Sequence, residues 1–298
     1  MFDVIIAGGS YAGMAAALQL ARARRKVLVV DAGQRRNRFA SSSHGFLTRD
    51  GQSPDAIAGE ARKQLLAYPT VTWIDGKAVG ASGTVDAFSV ETENAGTHDA
   101  RRLVLATGIT DILPDIPGLV ERWGKTVFHC PYCHGYELNE GRLGVLATGP
   151  QSMHQALMIP EWGATTFFTN GACSPDAVEL AQLAERGVTV ENTPVKAVGG
   201  RGDGISLQLE DGRELELAGL FTAPLAQLAS PLAGQLGCAL EEGPLGPIIK
   251  TDMMKGTSVD GVYACGDAAR MAGSVTFAVA DGVQAGIAAH RSLMFGQV

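Results

Sequence analysis

The stretch Val4-Ile5-Ile6-Ala7-Gly8-Gly9-Ser10-Tyr11-Ala12-Gly13 decides the fold. Four consecutive apolar residues running straight into glycines read as a buried parallel strand, because a strand covered on both faces loses the apolar/polar alternation. An alanine-rich segment to about Arg24 reads as a helix, and Val27 to Val30 as a second strand ending at Asp31. Strand, glycine turn, helix, strand and terminal acid together form a βαβ dinucleotide fingerprint. Gly8 permits the tight turn and Gly13 lets helix pack on strand. The helix N-terminus receives a pyrophosphate, and Asp31 bonds a ribose hydroxyl. Ser10 stands where the middle glycine is usual, and its small side chain still admits a phosphate.

Outward from this unit the pattern repeats. Thr84 to Thr92 and His98 to Ala106 read as strands around the turn Asn94-Ala95-Gly96, the second ending in Leu103-Val104-Leu105-Ala106-Thr107-Gly108, and Pro114, Pro117 and Gly118 mark a linker. The order then restarts: strand Leu143 to Ala147, turn Thr148-Gly149-Pro150, a helix ending near Pro160, strand Thr165 to Thr169, helix Asp176 to Arg186, strand Val188 to Val190. A hairpin at Asp211-Gly212 leads into Leu220-Phe221-Thr222-Ala223-Pro224, so the chain holds two copies of one α/β architecture. The second copy has one glycine in its turn, Gly149, and Asn170 where the ribose acid belongs. Thr169-Asn170-Gly171-Ala172-Cys173 offers no arginine or lysine for a 2′-phosphate, so this copy reads as a Rossmann shell without a functional nucleotide site, binding through backbone contacts being the alternative. Near the C-terminus, Gly261 to Asp267 reads as a strand entering a Gly-Asp turn, and Ser274 to about Ala289 as an apolar helix.

Between the copies lies Cys130-Pro131-Tyr132-Cys133-His134. Thiols at this spacing can close a disulfide across the first turn of a helix. Proline after the first cysteine favours a helix start, and the amides there lower a thiol's pKa. Five cysteines in 298 residues do not read as a secreted disulfide scaffold, so the pair is redox-active or metal-binding. Zinc is disfavoured: neighbouring Cys133 and His134 rarely supply two ligands of one tetrahedral site, and no second ligand pair completes it. A net charge of −7 leaves no basic surplus for nucleic acid. The N-terminus shows no leader pattern and no apolar run approaches bilayer length, so the expected location is cytoplasmic, with no membrane partner.

Together these motifs resemble the low-molecular-weight thioredoxin reductase family of FAD flavoproteins over essentially the whole chain. The resemblance implies two Rossmann-like three-layer domains, the second inserted into the first: residues 1–112 and 244–298 hold FAD, and 113–243 form a nicotinamide-domain-like insert carrying the dithiol. By position, Gly8, Ser10, Gly13, Asp31, Ala78, Thr107, Gly108, Gly266, Asp267, Ser274 and Val275 are expected along FAD, with Asn37 and His44 as looser candidates. It further implies a homodimer. Two departures set the chain apart, since reductases of this family carry Cys-x-x-Cys-Asp-Gly, a glycine-rich second turn and an arginine pair. With His134 instead of the aspartate, the sequence is more similar to the dithiol oxidase branch, whose members close disulfides in natural products such as gliotoxin, holomycin and romidepsin. That branch implies a small-molecule dithiol and O2 as partners, electrons passing through the CxxC to FAD and then to oxygen as H2O2.

The catalytic candidates are Cys130, Cys133 and His134. A free thiol with pKa near ~8.5 is only slightly ionised at neutral pH, so dithiol oxidation calls for a base, and an imidazole near ~6.5 suits the task better than a carboxylate. The substrate thiolate is expected on Cys130, leaving Cys133 to face the flavin. His129 competes for the base role but reads more readily as a packed strand-end residue. Cys265 reads as a small buried residue, and Cys173 and Cys238 have no motif. The arginines at 22, 24, 25, 35, 36 and 38 read as solvated faces, one of them near the FAD pyrophosphate, and Phe46, Tyr132 and Phe277 line a pocket or the core. The enzymatic alternative is a disulfide reductase fed by NADPH or a protein donor; the alternative of another class is a flavin-bound redox-sensing or zinc-binding non-enzyme.

Overall fold

The computed structural model describes residues 1–200, 202 and 204–296. Its first sheet runs parallel in the order Val71–Asp75, Val27–Asp31, Phe2–Ala7, Gly96–Leu105 and Val262–Ala264. Val4 lies opposite Val27, and Leu103 lies between Ile5 and Val262. The apolar run of the opening motif is therefore central, with Val4, Ile5 and Ile6 fully buried. The strand Gly96–Leu105 serves two partners in succession. Its first half forms an antiparallel meander with Ala87–Thr92, itself paired to Ala78–Thr84, and its second half joins the parallel sheet. The single strand expected from Thr84 to Thr92 is broken here. Thr84 closes one strand, Val85 and Asp86 turn with Asp86 at φ 66°, and Ala87 opens the next. The β-branched Thr84-Val85 pair read as strand, but a short polar side chain can take the left-handed turn that follows.

The glycine-turn helix Tyr11–Arg22 packs along the C-terminal helix Val275–Phe295. Contact is backbone-close: a Cβ on Gly282 would fall on the Ala12 carbonyl, and one on Gly286 would lie 2.6 Å from the Ala16 carbonyl oxygen. No helix among the described residues is long and apolar enough to cross a membrane.

The second unit repeats the plan. Five parallel strands stand in the order Thr189–Glu191, Gly163–Phe168, Glu140–Leu146, Gly219–Thr222, Val127–Phe128, accompanied by the antiparallel meander Val195–Gly199, Ile205–Leu209, Glu214–Leu217. Its cores are its own, built around Leu119, Phe168 and Leu207 on one face and Val145, Phe167 and Phe221 on the other. The units are joined by a two-stranded ribbon, Ile109–Ile112 against Leu225–Leu228. Leu232, Ala233 and Cys238 already pack with Ile5, Leu28 and Leu103. The return crossing therefore lies at the ribbon and not at residue 243, because these apolar side chains complete the first core.

Candidate active site

The opening turn is built for close backbone approach. Gly8 has φ 100°, where any Cβ would collide with the Ala106 carbonyl, and a Cβ on Gly13 would fall on the carbonyl of Gly8. Asp31, at its strand end, accepts the Gly9 amide at 2.9 Å through Oδ1. Ser10 caps the helix Tyr11–Arg22 without using its hydroxyl as a cap. Asn37 follows in a short 3-10 turn, Arg36–Phe39, donating to the Tyr11 hydroxyl and to Ser43 Oγ, both at 3.2 Å. Its Oδ1 is buried and lacks a hydrogen-bond partner, as does Arg35 Nε. Buried polar atoms without partners are costly, so orphans beside a glycine cradle fit a polar dinucleotide.

The other expected cofactor residues come from distant parts of the chain. Thr107 and Gly108, the latter at φ 69°, follow the central strand; Ala78 is buried where the meander begins. Gly266 turns at φ 69°, and Asp267 accepts from Arg36 Nη1 at 3.1 Å. Ser274 caps the long helix by accepting the Phe277 amide at 3.1 Å, with Val275 as its first residue. His44 has its Nε2 3.4 Å from Glu137 of the second unit and its Nδ1 3.6 Å from Asp50. Among the arginines expected on solvated faces, Arg36 is an exception. It forks onto Asp111 and bonds Asp267, with only 26% of its side chain exposed. Nothing in a run of arginines marks one as buried, because its carboxylate partners lie 75 and 231 positions away.

In the second unit Cys130 is the N-cap and Pro131 the first residue of the one-turn helix Pro131–His134. Cys130 and Cys133 form a disulfide with Cα atoms 5.3 Å apart. Tyr132 projects into solvent and meets Trp162 edge-on at 5.2 Å. His134 turns inward and stacks on Phe128 at 4.4 Å. Burial pushes its pKa down to about 4, and the charge of His44 acts in the same direction. His129 is held as a packed residue, with Nδ1 donating to the Thr222 carbonyl at 3.3 Å and its own carbonyl accepting from Gln155 at 2.8 Å. Of the remaining thiols, Cys265 is buried and pushed up to about 12, and burial also raises Cys173 and Cys238. Among the described residues no cluster of metal-ligating side chains occurs. Phe46 packs against the first core, whereas Phe277 is 44% exposed under the Arg270 guanidinium.

The second glycine turn is filled by its own side chains. The Thr148 amide donates to Ser152 Oγ at 3.0 Å, Gln151 Nε2 donates to Thr148 Oγ1 at 3.3 Å, and Thr148 Oγ1 donates to the Ala223 carbonyl at 2.6 Å. The Gln151 amide lies where a Cβ on Gly149 would point. Asn170, at φ 50°, spends Oδ1 on the Val195 amide at 2.9 Å. The helix that follows the turn, Ser152–Met158, has only seven residues, too short to add much dipole.

A glycine-rich dinucleotide turn, a second turn lined by its own Gln151 and Ser152 side chains, and a disulfide on the insert are the plan of a two-domain disulfide oxidoreductase. The chain belongs to the pyridine nucleotide-disulphide oxidoreductase family, whose model matches residues 2–282. It is 35% identical to the thioredoxin reductase tcpT of Claviceps purpurea, over 98% of this chain and 94% of that protein. Among solved structures it is similar to an oxidoreductase from Agrobacterium tumefaciens (55% identity, TM-score 0.96, 99% of both chains) and to HlmI (36% identity, TM-score 0.89, 98% of this chain and 92% of that one). Thioredoxin reductase-like members of the family are FAD flavoproteins, in keeping with the cradle around Gly8, Asp31, Asn37 and Asp267.

Proposed function

We propose that this chain is an FAD-dependent dithiol oxidase that closes a disulfide in a small-molecule dithiol, with O2 as acceptor. The overall change is one dithiol and one O2 giving one disulfide and one H2O2. The observation that carries this reading is the second turn, where Gln151, Ser152 and Asn170 take up the groups a nicotinamide dinucleotide would need. That leaves the dithiol as the entry point for electrons.

A substrate thiolate attacks Cys130 Sγ, the Cys130–Cys133 bond breaks, and Cys133 leaves as a thiolate. The second substrate thiolate then attacks the substrate sulfur of the mixed disulfide, which closes the product ring and frees Cys130. Bound FAD supplies the two-electron acceptor that restores the enzyme disulfide and the route by which the pair reaches O2. His134 is neutral at working pH, the form a proton acceptor must have. With its pKa near 4, it holds a proton best beside the thiolate it has just created, an ion pair that offsets the burial. A homodimer in the cytoplasm belongs to the same reading.

The test is anaerobic. The flavin-loaded protein is mixed with NADPH and, separately, with dithiothreitol, and the visible flavin absorbance is followed. Dithiothreitol is expected to bleach the flavin and NADPH to leave it yellow, with air restoring the colour and yielding peroxide. Rapid bleaching by NADPH would sink the oxidase reading in favour of a reductase.

A further inference from the structure

We infer that Arg36 and His44 are positioning residues for the dithiol, the ends of a short strap by which the cofactor domain holds the CxxC unit in place. The strap makes three contacts, one with the ribbon that crosses between the units and two with the second unit on either side of the cysteines. At its start the Arg36 fork grips Asp111, with Nε to Oδ2 at 2.9 Å and Nη2 to Oδ1 at 2.5 Å. Asp111 lies in the ribbon through which the chain crosses between units, and only 7% of its side chain is exposed. The third guanidinium nitrogen bonds Asp267, so one side chain ties the crossing ribbon to the Gly-Asp turn of the cofactor domain.

In the middle, Phe39 and Ala40 meet Gly124 so closely that a Cβ there would lie 2.7 Å from Phe39 Cβ. Gly124, at φ 75°, donates to the Val127 carbonyl and so heads the strand that leads to Cys130. At its far end His44 reaches Glu137, three residues beyond His134. The loop behind His44 is closed by the Ser43–Gln52 bridge and tied to the C-terminal helix, where Thr276 Oγ1 donates to the Gly45 carbonyl at 3.3 Å. The strap also contains Asn37 with its orphaned Oδ1, so a ligand in the cradle and the second unit share one anchor. The arrangement applies whichever way electrons flow, because it acts on where the disulfide sits.

The experiment uses the flavin-loaded protein with Asp111→Asn, Glu137→Gln and Arg36→Lys, the last keeping charge without the fork. Hydrogen–deuterium exchange is read on peptides covering 109–112 and 124–138, with 163–168 as the internal reference, and single-turnover flavin reduction is read with dithiothreitol. Asp111→Asn is expected to expose 109–112 and Glu137→Gln to expose 124–138 to exchange severalfold faster. Both should slow reduction at saturating dithiothreitol by about tenfold, since small misplacements of reacting groups are costly in rate. FAD content and the half-saturating dithiothreitol concentration are expected to stay as in the parent, and Arg36→Lys to fall between parent and Asp111→Asn. Unchanged exchange and rate in both Asp111→Asn and Glu137→Gln would overturn the inference. So would loss of FAD with 124–138 still protected, which would assign the strap to cofactor binding alone. Should Asp111→Asn fail to fold, the exposed Glu137 still decides the matter.

Discussion

His134 shows how burial sets a residue's chemistry. Its ring lies against Phe128, and the pKa drops from the ordinary 6.5 to about 4. Between those values the unfolded chain binds the proton and the folded one does not, so stability falls as pH drops from about 6.5 to 4, by at most about 3 kcal/mol. Below that window both states are protonated and the loss levels off. His134→Asn is expected to flatten this part of the profile, measured as the change in Tm between pH 7 and pH 4.5 with excess FAD present. Cys133→Ser should keep FAD and abolish dithiol turnover, because no disulfide remains to receive electrons. His134→Ala should slow the dithiol step by about 10²-fold, the low end for a positioned base. Thiol oxidation at the parent rate in either variant would refute the assigned roles.

The two turns differ in what occupies the space over their glycines: the carbonyls of Ala106 and Gly8 lie over the first, and the Gln151 side chain lies over the second. Gly8→Ala places a methyl group on the Ala106 carbonyl at a backbone angle that disfavours side chains, so the purified variant is expected to lack flavin absorbance. Gln151→Ala clears the space over Gly149 yet leaves the Thr148 amide bound to Ser152 and Asn170 bound to Val195. That variant should remain unreactive to NADPH, checked by the same anaerobic absorbance assay. The helix contact is equally tight. Gly286→Ala forces the helices Tyr11–Arg22 and Val275–Phe295 apart and is expected to cost about 1–3 kcal/mol, read from denaturant unfolding. Element by element, the opening strand, its glycine turn, the helix Ala177–Glu185 and the one-turn helix at the CxxC were all legible. The break at Val85-Asp86 was not, because β-branched residues favour a strand locally while the hairpin is set by pairing with Gly96–Leu105.

Across the whole molecule, the residues expected along FAD include Gly8, Asn37 and Asp267, so on that assignment a bound FAD would hold together segments that are far apart in sequence. Removing it is expected to lower stability by about 2.7 kcal/mol relative to protein with FAD at a hundred times its Kd. Paired thermal scans of flavin-free and loaded protein check this. The sequence by itself determined that there are two Rossmann-type copies, that only the first has a complete turn, and that a dithiol followed by histidine lies between them. These are local statements, carried by apolar periodicity, glycine spacing and adjacent residues. The tertiary structure alone decided that His134 is half-buried against Phe128, that Gln151 and Ser152 line the second turn, that Arg36 joins Asp111 to Asp267, and that the return crossing lies at Leu225–Leu228. The reason is physical: burial and charge pairing depend on which distant surfaces meet, and that is set by how the chain crosses between its two sheets.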